Sequence, residues 1–319
     1  MKVVALAGGV GAGKFLRGLV QVVPASDVTV VVNTGDDIVV HGLHVSPDLD
    51  SVTYWLAGVA DRERGWGREG ETFRATEELR AFGAEEAWFG LGDLDLATHL
   101  FRTALLAGGS TLSEATAAVC ERFGVGSRLL PMSDDPVTTR LDVAEVSGIE
   151  LDLHFQEYWV LRGARDEVKS IRYEGVERAR PGPGVLEAVA AADVVLLCPS
   201  NPVASVDPIL AVPGVRDAVV ARRDRVAGVS PIVGGAPVRG MADRLLPVVG
   251  AEVSAAGVAA HYRDLLGGWV IDHADGAEAA RVEALGIRVS EVDTIMVDDV
   301  ASARLAEAAV ALALGKGPA

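Results

Sequence analysis

Short runs of β-branched and aliphatic residues alternate along the chain with longer stretches in which Ala, Leu, Glu and Arg recur at helical spacing. The apolar runs 2–7, 28–32, 87–89, 128–131, 193–198, 225–230 and 269–272 are continuous rather than alternating, and are bounded by Gly, Pro or polar residues. Continuous apolar runs of this length suit strands covered on both faces. Helical patterns fall at 72–82, 113–123, 185–191, 241–249 and 299–314. The alternation predicts an α/β fold with a doubly wound, mostly parallel sheet, whose ligands sit beyond the carboxyl ends of the strands.

One segment breaks this rhythm. TTRLDVAEV, IELDLHFQEYWV and VKSIRYEGV alternate like exposed strands, with turn signals at Gly148 and Gly163 and a close at Pro181 and Pro183. They predict an inserted, mainly antiparallel subdomain at 138–183, between two parts of the core at 1–137 and 184–319. Half of the 319 residues are apolar, enough for a full core. The formal charge of −16, from 45 acidic and 29 basic residues, argues against a nucleic-acid footprint but permits one small anion. Cys120 and Cys198 stand far apart, which disfavours a disulfide framework or a thiolate metal site. No apolar run approaches the ~18 residues of a membrane span, so a cytoplasmic, membrane-free protein is expected.

The first strand runs into Gly8-Gly9-Val10-Gly11-Ala12-Gly13-Lys14. Glycine admits close backbone approach, so successive N–H groups can face an anion, and the start of the next helix adds partial positive charge. Gly8, Gly13 and Lys14 match the opening of a P-loop, but Phe15 stands where that motif needs Ser or Thr for magnesium. The mismatch counts against a P-loop kinase. The dinucleotide pattern fails too, since Lys14 holds its third glycine position. The alternative is a tight strand-to-helix turn with no ligand; the entropic cost of so many glycines favours a phosphate contact.

Two acidic turns follow: Asn33-Thr34-Gly35-Asp36-Asp37 and Ser46-Pro47-Asp48-Leu49-Asp50-Ser51. Carboxylates beside a phosphate-binding turn suit magnesium, which takes hard oxygen ligands and bridges to a diphosphate. Asp36 and Asp50 are the favoured pair for that role. Asp48 is evenly divided between this site and a cap on the following helix, and Asp37 between the site and solvent. His99 lies on a helix where a structural role is the commoner outcome. Ends rich in Gly, Ser, Asn, Asp or Pro after six of the expected strands describe a polar rim fit for a long polar ligand. Residue types and spacing therefore point to an α/β protein that binds a phosphorylated ligand with magnesium.

The ordered set GGVGAGK, NTGDD, SPDLDSVTYWLAG, GWG, WFGLGDLDLATHL, PMSDDPVTT, HFQEYW, PSNPVASVDPIL and VSPIVGGAPVRGMAD resembles the 2-phospho-L-lactate transferase family of coenzyme F420 biosynthesis over almost the whole chain. Heavy use of Ala, Gly, Val and Arg suggests a GC-rich, actinobacterial genome, and actinobacterial members of the family use a phosphoenolpyruvyl donor. The resemblance implies a Rossmann-like core, a homodimer and magnesium dependence. It implies transfer of a phospholactyl or enolpyruvyl-phosphoryl group from its guanosine diphosphate conjugate to the ribityl hydroxyl of the deazaflavin Fo, with release of GMP. By the same resemblance Gly8, Gly9, Gly11, Gly13, Lys14, Asn33 and Thr34 meet the phosphates or base of the donor, joined by Ser200, Asn201 and Pro202. Trp66, Trp88 and Phe89 are candidates for the slot of the acceptor ring, and His99 joins the substrate-binding set. Asp36 and Asp50 hold magnesium, and Asp50 or Asp37 accepts or orients the hydroxyl proton. Leu94 departs from the basic residue that several relatives carry there, which weakens any phosphate contact from that helix end. A nucleotide-sugar-binding regulator of the same superfamily is the alternative; Ile38-Val39-Val40-His41-Gly42 after the paired aspartates, in place of a Ser/Gly-rich stretch, favours the transferase.

Overall fold

The computed structural model describes residues 1–145 and 147–316. Its strands, in chain order, are β1 (Val3–Ala7), β2 (Val28–Val32), β3 (Ile38–Val40), β4 (Leu43–Val45), β5 (Arg128–Pro131), β6 (Thr138–Ala144), β7 (Glu150–His154), β8 (Glu167–Glu174), β9 (Val194–Leu197), β10 (Val226–Val229), β11 (Ile232–Val233), β12 (Ala236–Pro237), β13 (Gly268–Asp272) and β14 (Arg288–Val292). The central sheet has seven parallel strands in the order β14-β13-β10-β9-β1-β2-β5. Chain order reverses between β1 and β9, which pair from Val3↔Val194 to Leu6↔Leu197. That crevice is the topological switch point, where open α/β sheets bind ligands.

Strand β1 shows why these apolar runs are continuous. Val4 and Leu6 pack into one core, while Val3, Ala5 and Ala7 pack into the core on the opposite face. A central parallel strand has no wet face, so both sets of side chains must be apolar. Helix α1 (Gly9–Val22) buries Ala12, Phe15, Leu16 and Leu19 on the second face, against α2 (Pro47–Ala57) and the C-terminal helix Asp299–Ala313. The helix Leu112–Phe123 starts at a reciprocal capping box between Thr111 and Glu114 and ends at Gly124 with φ 65°, as its sequence dictates.

The fold class is the one the periodicity predicts: a doubly wound parallel sheet with a small antiparallel sheet of order β7-β6-β8 inserted after β5. Three local expectations fail. Residues 87–89 are not a strand; Glu85–Trp88 form one helical turn, closed by the Phe89 N–H donating to the Glu86 carbonyl at 3.0 Å. A three-residue apolar run between two glutamates and a glycine is too short to specify a buried strand. The run IELDLHFQEYWV splits, with β7 stopping at His154 and a wide helical turn following at Glu157–Leu161. Strand β14 was missed because it lies at the sheet edge and is partly exposed, so it lacks the apolar signature of its neighbours. No helix among the described residues is long and apolar enough to cross a membrane.

Leu6 is fully buried in the first core. Leu6→Ala is predicted to cost about 2–5 kcal/mol of stability, read from chemical denaturation; an unchanged midpoint would contradict the two-faced burial of β1.

Candidate active site

A cavity of about 760 Å³ opens over the switch point. Its lining comes from the carboxyl ends of β1, β9 and β10, the first turn of α1, the acidic turns, and the helical turn of the insert. This volume is within the range of small-molecule sites.

The glycine segment turns tightly from β1 straight into α1, which begins at Gly9. Gly8, Gly11 and Gly13 make room for neighbours, and Gly9 takes a φ of 72°. A Cβ at Gly8 would collide with the Asp48 carboxylate and Ser205, and one at Gly11 with the Pro199 carbonyl. Gly13 backs onto Trp55, at 2.6 Å from an added Cβ, and does not line the cavity. The Gly8 N–H donates to Ser200 Oγ at 3.2 Å, which ties the ends of β1 and β9 together across the crevice. Gly8, Gly9, Gly11 and Lys14 do line the cavity. Lys14 Nζ sits 5.7 Å over the Trp55 ring. Partial burial, and then the nearby Arg239 and Arg62, pull its pKa down. Among the described residues no carboxylate lies at ion-pair distance from Lys14, whereas Arg62 is paired with Asp299 at 3.0 Å.

At the cavity floor Asp36 and Asp48 are 3% and 6% exposed. The Asn33 amide donates to Asp36 Oδ1 at 3.3 Å and to Asp48 Oδ2 at 2.9 Å. Gln156 Nε2, from the insert, donates to Asp36 Oδ2 at 2.8 Å. No lysine or arginine among the described residues stands at ion-pair distance from either carboxylate. Burial, and then the charge of Asp48, push the Asp36 carboxyl well up. Burial pushes Asp48 up to about 7, against the restraint of hydrogen bonds from Asn33, Ser205 and the Gly9 backbone. Asp48 is not a helix cap: the N-terminus of α2 has no side-chain cap.

The structure therefore sets Asp48, rather than Asp50, beside Asp36. Asp50 is held by both terminal nitrogens of Arg102, one at 3.1 Å. Both partners are buried, and although burial disfavours the guanidinium charge, Asp50 more than offsets it and raises the Arg102 pKa. Asp50 still lines the cavity, as does His99, whose Nδ1 lies 3.6 Å from Asp50 and whose Nε2 lies 3.5 Å from Asp95. Tyr54 donates to Asp95 at 2.6 Å. Burial would raise the Asp95 carboxyl, but His99, Tyr54 and Arg102 hold it below its ordinary value.

Of the other expected residues, some stand away from the cavity and some line it. Asp37 turns toward the β3–β4 hairpin, where it accepts from Ser46 Oγ at 2.7 Å and lies 3.0 Å from His44 Nε2. Asn33 and Thr34 are buried beneath the floor, and Asn33 acts by holding the two carboxylates. Pro202 is buried, with its carbonyl accepting from Tyr262. Ser200 and Asn201 line the wall, and Asn201 caps the turn that follows it. Trp66, Trp88 and Phe89 face the cavity. Leu94 lies outside it, half exposed on the first turn of the helix Asp93–Ala107. The lining residues Phe155, Gln156, Trp159, Val160 and Arg239 went unread in the sequence. The loss of period-2 alternation at HFQEYW, where Phe155, Tyr158 and Trp159 crowd around Gln156 and Glu157, was the one signal available for most of them.

No cluster of three or more His, Cys, Asp or Glu side chains arranged for a metal occurs among the described residues. Magnesium does not need one, because it is often held by one or two carboxylates together with substrate phosphates and waters. Two buried carboxylates that repel each other, with no protein cation between them, are the donor set such an ion requires.

The family model for 2-phospho-L-lactate transferase CofD matches residues 3–310. The chain belongs to the CofD family. It is 52% identical to a Streptomyces griseus phosphoenolpyruvate transferase, over 98% of both chains. It is 42% identical to the phosphoenolpyruvate transferase of Mycolicibacterium smegmatis, over 98% of this chain and 99% of that protein. A crystal structure of a UPF0052 family protein from Bacillus halodurans shares the fold, with a TM-score of 0.64 at 16% identity over 97% and 98% of the two chains. CofD membership makes this chain a phospho-group transferase, of a family that serves coenzyme F420 biosynthesis.

Metal-free protein is predicted to lose stability as pH rises from about 4 to 7. Over that window folded Asp48, with its carboxyl near 7, retains a proton that the unfolded chain releases near 4. Asp48→Asn should flatten the slope in denaturation curves measured across this range; a wild-type slope in the variant would contradict the upward push that burial gives the Asp48 carboxyl.

Proposed function

We propose that this enzyme transfers the enolpyruvyl-phosphoryl group from its guanosine diphosphate conjugate to the ribityl hydroxyl of Fo, with magnesium as cofactor and as a homodimer in the cytoplasm. The observation that carries the reading is one cavity whose lining combines the carboxylates Asp36 and Asp48, the cations Lys14 and Arg239, and the aromatics Trp66, Trp88 and Trp159. A flat ring, a diphosphate and a divalent ion each need one of these. The names of the actinobacterial relatives favour the enolpyruvyl donor over the phospholactyl one.

In the reaction the acceptor oxygen bonds to the phosphorus that carries the enolpyruvyl group, the bridging P–O bond breaks, and GMP leaves with the electron pair. Little covalent chemistry is asked of the protein, so positioning and charge neutralisation carry the rate. Asp36 and Asp48 would hold magnesium, which supplies charge neutralisation at the departing phosphate. Lys14 and Arg239 hold the donor from the other side. Asp50, fixed by Arg102 and facing the cavity, orients the acceptor hydroxyl and takes up its proton. Asp37 has no such access and is left out of the mechanism. The tryptophans seat the ring and exclude water, which would otherwise hydrolyse the donor.

Purified protein with magnesium, Fo and both guanylated donors should release GMP and give a product two hydrogens lighter than the phospholactyl adduct by mass spectrometry. Lys14→Ala should raise the donor KM with a smaller effect on the KM for Fo. No GMP with either donor would overturn the proposal, as would tight UDP-sugar binding without Fo binding, which belongs to a regulator.

A further inference from the structure

The inserted sheet grips the acidic turn at three points. The Thr139 N–H donates to the Gly35 carbonyl at 2.6 Å. His154 Nε2 lies 3.1 Å from the Asp37 carbonyl, and Gln156 Nε2 donates to Asp36 Oδ2 at 2.8 Å. The Gln156 backbone N–H donates to His154 Nδ1 at 3.0 Å, so the imidazole proton is on Nε2 and points at Asp37. Backbone and side chain of Gln156 thus close a clamp around residues 35–37. Gln156 is 4% exposed and also lines the cavity.

We propose that Gln156 is a positioning residue for the transfer: it fixes the Asp36 carboxylate toward the cavity with a neutral amide, so that the charge of the Asp36–Asp48 pair is left for a divalent cation. This rests on the reading of that pair as the cation site. A lysine or arginine at this place would hold Asp36 equally well but would satisfy its charge. Two amides, Asn33 and Gln156, hold the carboxylate without neutralising it. The inserted sheet is on this account a part of the metal-binding apparatus: Gln156 stands at the entry to its helical turn, and the turn supplies the cavity wall at Trp159.

The test is Mn²⁺ titration of the full-length protein in the presence of GDP, followed by electron paramagnetic resonance. Gln156→Met keeps the length of the side chain and removes the donor. It should weaken Mn²⁺ binding about tenfold, the usual cost of losing a group that orients a metal ligand, and leave the KM for Fo unchanged. Gln156→Lys should abolish Mn²⁺ binding while the protein still binds Fo. Wild-type Mn²⁺ affinity in both variants would overturn the positioning role and leave the cation site standing. Failure of the wild-type protein itself to bind Mn²⁺ would overturn both.

Discussion

Asn33 shares one amide between two buried carboxylates, Asp36 and Asp48, and among the described residues no basic side chain stands at ion-pair distance from either. Burying even one unpaired carboxylate is expensive, and a second beside it raises the cost. The surrounding structure holds this arrangement in place: Gly8 leaves space for Asp48, the Ser200 hydroxyl fixes the end of β1, and the insert reaches across to Asp36. Natural proteins keep such unfavourable clusters where function uses them. A hard cation bridging to a diphosphate is the use that these groups fit.

Asp50 shows the opposite arrangement fourteen residues after Asp36. Its charge is met by the guanidinium of Arg102, with His99 and Asp95 extending the network toward the cavity. A carboxylate held on both oxygens by its own partner needs no metal to fix it in place, which suits the orientation of a hydroxyl. One wall of the cavity thus carries a carboxyl group with its own cation and its floor carries two without one, and the two have different chemistry although all the residues are aspartates.

Much of the fold was legible because burial on both faces of a parallel sheet leaves a simple mark, the continuous apolar run, which β1, β2, β9 and β10 all carry. The edge strand β14 carries no such mark, and residues 87–89 carry a misleading one. The site was legible at the level of segments. Both acidic turns, the first turn of α1 and Ser200 carry strand-end polarity, which announces a ligand edge, whereas Trp66 and Trp88 follow from the need for an aromatic slot and Trp159 carries neither signal. Which aspartate faces which was not legible. Asp48 and Asp50 are two positions apart on one helical turn, so a rotation of about 200° separates them, and their partners Asn33 and Arg102 come from distant segments. Gln156 was beyond reach for the same reason, since its contact with Asp36 spans 120 positions.

The most direct measurement is anomalous diffraction from crystals of the protein grown with Mn²⁺ and GDP. The account predicts a single strong peak within coordination distance of both Asp36 and Asp48, with GDP phosphate oxygens completing the shell and Asp50 still on Arg102. A peak held by Asp50 and displaced from Asp48, or no peak in the cavity when GDP is bound there, would contradict it.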